Sequence, residues 1–200
     1  LRGAKLSGRD LRGIDLRNAF LQGADLEGAN LEGAKLDGAR MDRCRLVRAN
    51  LKYASAMDTV FDDVRATEAD LSGVDASSSR WVGADLRGAV FEGSDFSRAD
   101  LSAARVSQVD FADANLSHAI LEQTDLVGAK LSKAKVDGLE AEGALGLSGA
   151  EMAALEARGA RVNALSLHWL RWFSEKEKRV PRIARLVVLV LLLSMGGFLV

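Results

Sequence analysis

The side chains best suited to chemistry are few and scattered: one cysteine, Cys44, and two histidines, His118 and His168, in 200 residues. A thiolate beside an imidazole would serve nucleophilic attack, and a cluster of Cys and His would hold zinc. Neither arrangement has the spacing it needs here. A single cysteine makes no disulfide framework and no metal cluster, and the two histidines lie far apart in sequence without partners. No glycine-rich phosphate loop leads into a helix, and no Ser/His/Asp set converges. Carboxylates are abundant, 28 Asp and Glu, but they recur at fixed offsets, so close pairs arise from the pattern itself. The expectation is a non-enzyme with no catalytic residue, no cofactor and no metal. Cys44 is expected to be a small buried residue, and the histidines satisfied or solvated.

The pattern that absorbs these residues has a period of five. The chain runs LRGAK LSGRD LRGID LRNAF LQGAD LEGAN LEGAK, and 28 such units follow one another without insertion to residue 140. Five matches neither a helix at 3.6 nor a flat strand at 2. The first position of each unit is large and apolar, as at Leu21, Leu26, Leu31, Phe61, Trp81, Phe91 and Phe111; the fourth is small, as at Ala24, Ala29, Ala84 and Ala114. Residues two apart on an extended segment point to one side. Position four of one unit and position one of the next therefore point inward together, and the other three positions turn a corner or face water. Through residue 140, all 13 glycines occupy position three, a corner that suits a residue without Cβ. Arg43, Arg48, Asp58, Asp63 and Gln108 share that position, which suggests a corner that favours glycine without demanding a positive φ.

Such a chain must coil about a narrow axis as short parallel strands bonded turn on turn. The units Ala24-Asp25-Leu26-Glu27-Gly28 and Ala114-Asn115-Leu116-Ser117-His118 resemble the A-[DN]-L-x-x motif of the pentapeptide-repeat family over about residues 1–140. The resemblance implies an all-β fold: a right-handed, four-sided parallel β-solenoid with four units per coil, hence about seven coils and a rod roughly 34 Å long. Size compensation fits a shared dense interior: where position one shrinks to Ala66 and Ala76, the preceding position four grows to Val64 and Val74. Ala54 with Ala56 lacks this compensation and is expected to pack loosely. Arg9 and Ile14 at position four suggest a distorted first coil or a neighbour above it. Because Leu1 is already in phase with the repeat, further coils or another domain are expected before it.

Charge is close to balanced overall, at −1, but unevenly spread. Residues 1–52 carry 11 basic and 7 acidic side chains, and residues 53–125 carry 5 basic and 14 acidic. With coils of twenty residues, Lys5, Asp25, Arg45, Arg65, Asp85, Arg105 and Asp125 form one outward column, a weakly stabilised solvated face.

The grammar changes after residue 140. Residues 141–162 read as a cap for the solenoid end: Ser148 with Glu151 is a capping box, Ala153, Ala154, Leu155 and Ala157 favour helix, and Gly159 offers a stop. Solenoids need such caps. Residues 163–182 form an aromatic and basic juxtamembrane linker with Trp169 and Trp172, Lys176, Lys178, Arg179 and Arg182. Residues 183–200 then resemble the start of a transmembrane helix, with Trp169, Trp172, Arg182 and Arg185 at the membrane interface. The uncharged run from Leu186 to Val200 has 15 residues, short of the roughly 20 that span a bilayer. Either the helix continues past Val200, or Ile183 and a snorkelling Arg185 lengthen it; a buried helix in a partner complex is the alternative. The positive-inside rule places the solenoid on the cytoplasmic side of the inner membrane, and a lone cysteine fits a reducing compartment.

Three functions follow as expectations. The first is a non-enzymatic, membrane-tethered scaffold that presents a rigid rod to a protein partner, with the bilayer as its second partner and no nucleic acid or small-molecule substrate. Its contact candidates are Tyr53, Met57 and Val60 in the irregular coils, together with Phe20 and Ile120, which share an outward column with Val60. The second is a sensory or gating domain of a multi-span channel or transporter. The third, suggested by the acidic middle coils and by the activity of some members of the family, is a DNA mimic that inhibits a topoisomerase; the basic N-terminal third argues against it.

Overall fold

The computed structural model describes residues 1–162. From Leu1 onward each unit repeats one conformation: an inward residue, a two-residue corner, a second inward residue and a bridge residue facing out. The pattern continues one unit beyond residue 140, through Leu145. Bridges are parallel and join residues twenty apart, as in Lys5 to Asp25, Asp10 to Asn30, Asp15 to Lys35 and Phe20 to Arg40. Four units therefore close one coil, and the outward columns define four faces, here called faces 1 to 4 after Lys5, Asp10, Asp15 and Phe20.

Three backbone bonds per unit run along the axis. In the unit Lys5–Arg9, Leu6 N–H donates to Asp25 O at 2.7 Å and Gly8 N–H to Glu27 O at 2.8 Å, and in the coil above Asp25 N–H returns to Ala4 O at 2.9 Å. A fourth closes the corner: Ala24 N–H donates to Leu21 O at 2.8 Å. The ladder leaves position two as the only amide without a backbone acceptor, a deficit that must be met elsewhere.

The corner overturns one expectation. Position three has a positive φ in every unit through Gly138 except at Lys133, and 14 of these residues are not glycine, among them Arg43 at 58°, Arg48 at 56°, Tyr53 at 57° and Glu68 at 59°. The turn does demand the left-handed conformation. The axial ladder and the inward pair on either side over-determine it, so residues that avoid this region are held there.

The interior is continuous from Leu16 to Val162. Ala54 and Ala56 are buried, as are the compensating pairs Val64 with Ala66 and Val74 with Ala76. Phe61 and Trp81, stacked in one column with ring centroids 3.9 Å apart and planes within 16°, supply bulk next to the column that holds Ala56 and Ala76. Arg9 is exposed and Ile14 half-buried, yet the first coil is regular: Asn30 N–H still donates to Arg9 O at 2.9 Å and Lys35 N–H to Ile14 O at 2.9 Å. The expected distortion is absent because an arginine there can turn outward without moving the backbone.

The solenoid ends under α1, Gly149–Glu156, whose N-terminus is closed by the expected Ser148/Glu151 capping box. Leu155 is buried, and Leu147 and Met152 pack against the core. Arg158 was not anticipated as part of the cap. Its guanidinium donates to Leu131 O at 3.0 Å and also to Ala134 O, the second being a carbonyl that a position-five amide of a further coil would have engaged. The chain then returns as a bridge between Glu140 and Arg161. Among the described residues no helix is long and apolar enough to cross a membrane. The linker and membrane segment expected at 163–200, with Trp169, Trp172, Arg182 and Arg185, lie outside the described residues.

Candidate functional site

The polar side chains of the repeat have structural work to do. Every Asp or Asn at position five accepts a hydrogen bond from the position-two amide two residues on, as in Arg12 to Asp10 at 3.3 Å, Ser97 to Asp95 at 2.8 Å and Lys52 to Asn50 at 3.0 Å. This Asx turn supplies the acceptor that the ladder lacks. Where position five is Ser55 or Arg80, an aspartate one coil below replaces it: Met57 N–H donates to Asp37 at 3.1 Å and Val82 N–H to Asp62 at 3.2 Å. The A-[DN]-L motif carried this signal, but residue type alone does not say which amide a carboxylate serves.

Ion pairs form both beside a corner, between residues two apart, and between successive coils. Arg12 meets Asp10 at 2.7 Å, Arg17 meets Asp15 at 2.6 Å and Arg87 meets Asp85 at 2.7 Å, whereas along the expected charge column Arg45 reaches Asp25 only at 4.0 Å and Glu27 at 2.5 Å. The paired guanidinium side chains, with the backbone amides, hold Asp10 and Asp15 down to about 2. On Asp62 burial dominates and raises the pKa, against the pull of Arg80; Asp42 and Asp63 add to the rise. These carboxylates, with Arg40 and Arg43, line a shallow depression of about 500 Å³.

Cys44 is fully buried, with its thiol 3.0 Å from Leu21 O. Burial pushes that thiol up to about 11, which keeps it protonated and unreactive. Thr59, Ser79, Ser94 and Thr124 fill the same inward position and also donate to carbonyls. His118 stands at a corner over Gly138. Among the described residues no group of His, Cys, Asp and Glu could hold a metal ion.

The contact candidates fall in two places. Phe20, Val60 and Ile120 do share face 4, but Arg40 separates the first two and Arg80 with Asp100 the last two. Phe20 is exposed beneath the Arg2 guanidinium, 5.3 Å from its ring centre, while Val60 and Ile120 are half-buried. They are separate apolar spots and make no stripe. Met57 lies at the corner leading into face 4, and Tyr53 at the corner between faces 2 and 3. Tyr53 is 69% exposed and Met57 41%. The Tyr53 ring turns its Cδ1–Cε1 edge to Gly73, so close that a Cβ there would come within 2.6 Å of it.

The acidic middle of the chain is not uniform around the axis. Between residues 53 and 125, Asp70, Glu92, Asp110 and Asp113 belong to face 2 and its following corner with no basic residue among them, while face 1 and its following corner mix Arg65, Arg87 and Arg105 with Glu68, Asp85 and Asp125.

Comparison with curated proteins finds no match. Among solved structures, the chain resembles QnrB1, a plasmid-mediated fluoroquinolone resistance protein, at 16% identity over 86% of this chain and 97% of that one, with a TM-score of 0.56. It also aligns with HetL from Nostoc sp. strain PCC 7120, a pentapeptide repeat protein involved in heterocyst differentiation regulation, at 24% identity over 68% and 74% of the two chains, with a TM-score of 0.41. The first likeness supports the fold. The family profile for pentapeptide repeats matches residues 1–33, 24–63, 69–108 and 110–145, in eight copies. With the five-residue unit, the twenty-residue coil and the Asx-turned corner in agreement over more than half of its length, the chain belongs to the pentapeptide-repeat family.

Proposed function

We propose that this protein is a membrane-tethered interaction rod that presents coil three, residues 41–60, to a protein partner. Proteins of this family fold as right-handed β-helix solenoids and act in general as non-enzymatic structural or interaction modules. One observation supports coil three in particular. Tyr53 sits at φ 57°, a conformation unusual for a bulky residue, and is 69% exposed. Glycine fills this corner elsewhere without strain, so the fold gains little from a tyrosine. A strained, exposed aromatic points to a functional role. Its ring is held against the bare backbone of Gly73, which limits the rotamer freedom lost on binding and suits an anchor residue. The tether is supported by sequence alone: a basic segment followed by the uncharged run Leu186–Val200. On this reading the solenoid lies on the cytoplasmic side of the inner membrane.

The test is Tyr53→Gly in the full chain. The fold should be at least as stable, because glycine prefers this corner, while recovery of a membrane-protein partner from detergent extracts should fall at least about tenfold, as for a hot-spot residue. Unchanged recovery removes coil three from the reading. Deleting residues 183–200 should release the protein from the membrane fraction; continued sedimentation with membranes removes the tether.

A further inference from the structure

The axial ladder is broken at one place between coils five and six. From Leu6 to Val106, every position-one amide bonds to the coil above except that of Phe91. Gly88 N–H lacks its bond to the coil above, Asp110 N–H lacks its bond to the coil below, and the Gly93 N–H to Ala112 O bond is stretched to 3.4 Å. The bridge between Val90 and Asp110 is missing, although Asp85–Arg105 and Asp95–Asn115 on either side are present. All of these residues belong to face 2 and its flanking corners. Across the rod, face 4 stays closed between the same two coils, with Ile120 N–H donating to Ala99 O at 2.9 Å and the Asp100–Ile120 bridge present.

The core beneath the gap explains it. Phe91 and Phe111 stack in one column with centroids 4.9 Å apart and planes inclined at 42°, and Phe96 meets Phe91 at 54°. Inclined rings need more room along the axis than parallel ones. Under Phe61 and Trp81, which are nearly parallel, the ladder bonds are short, at 2.6 Å from Phe61 N–H to Arg80 O and 2.7 Å from Trp81 N–H to Asp100 O.

We infer that the rod opens at this seam and bends about face 4, so that its first five coils and its last coils with the cap move as two stiff bodies. Three axial bonds, those of Gly88, Phe91 and Asp110, are already open there, and Val90 is 44% exposed at the opening. Local openings of this kind have free energies well below that of global unfolding. The bend makes face 4 concave, and the inference holds whatever partner the rod has.

Amide hydrogen exchange on the full chain in detergent micelles, resolved by NMR, tests it. Gly88, Phe91 and Asp110 should exchange on the order of 100-fold faster than Glu68, Leu71 and Val90, their bonded equivalents one coil earlier. In Phe111→Leu, which installs the commonest residue of that position, exchange at the three seam amides should slow toward that of the equivalents. Equal protection in the unaltered protein overturns the inference, as does fast exchange that persists unchanged in Phe111→Leu.

Discussion

Coils one and two and coil three share a backbone and differ in what occupies its corners. The corners of coil two are Gly23, Gly28, Gly33 and Gly38, at φ between 61° and 69°; those of coil three are Arg43, Arg48, Tyr53 and Asp58, at φ between 55° and 58°. Glycine adopts this region at no steric cost, whereas the others are forced into it at about 1–2 kcal/mol per residue. Nothing local in coil three selects the turn. The buried inward side chains and the bonds to the coils above and below impose it, so the repeat is held from inside.

Breaking that interior should have the largest effect. Leu51 is fully buried in coil three, and Leu51→Ala should lower stability by about 2–5 kcal/mol, measured by urea unfolding; a loss under about 0.5 kcal/mol would mean that the core does not hold the corners. A smaller contrast separates two glycines at the same corner. Gly33→Ala adds a Cβ with open space around it, while Gly73→Ala drives one into the Tyr53 ring at 2.6 Å. The first should cost about 1 kcal/mol and the second about 1–3 kcal/mol, and equal costs would show that the ring does not rest there. Arg43→Gly should stabilise coil three by about 0.5–1 kcal/mol, since the Arg43–Asp63 pair at 3.7 Å is highly exposed and such pairs contribute little. A fall in the urea midpoint would reverse the account of the corners.

Acid should give the smallest effect. Asp10 and Asp15 in coil one are held near 2 by Arg12 and Arg17. A carboxylate whose folded pKa lies below its unfolded value stabilises the fold above the unfolded pKa, and the gain is lost as pH falls through the folded one. The urea midpoint should therefore decline between about pH 4 and pH 2, and the decline should shrink in the double variant Asp10→Asn, Asp15→Asn. Coil three has Arg45, Asn50, Ser55 and Val60 at position five, no carboxylate among them, so Asn50→Ser should leave the acid slope as it was. A slope altered in that variant would undo the distinction between the two coils.

Spacing alone was enough to reveal the inward columns, the capping box at Ser148 and the burial of Cys44. The twenty-residue coil needed the family resemblance, because a period of five does not count the sides of a polygon. The left-handed corner was misread from Arg43, Arg48 and Asp58, since single-residue preference yields to a ladder that bonds the corner on both sides. The role of the position-five aspartates was hidden because a polar residue facing water and one bonding a neighbouring amide look alike in sequence. Arg158 fell outside the repeat and had no pattern to mark it. Phe91 fits its position, and Val90 puts an apolar residue at position five as Val60 and Ile120 do where the bridges are intact, so residue type does not mark the seam.

The direction of the ladder bonds decides how such a rod can be copied by other chains. Its N–H and C=O groups point up and down the axis, so its long sides offer no template to an approaching strand, however regular they look. Fibrous growth can start only at a terminal turn. At the cap that route is narrowed by the guanidinium of Arg158 on Leu131 O and Ala134 O, so Arg158→Ala should be the change that lets these molecules polymerise lengthwise.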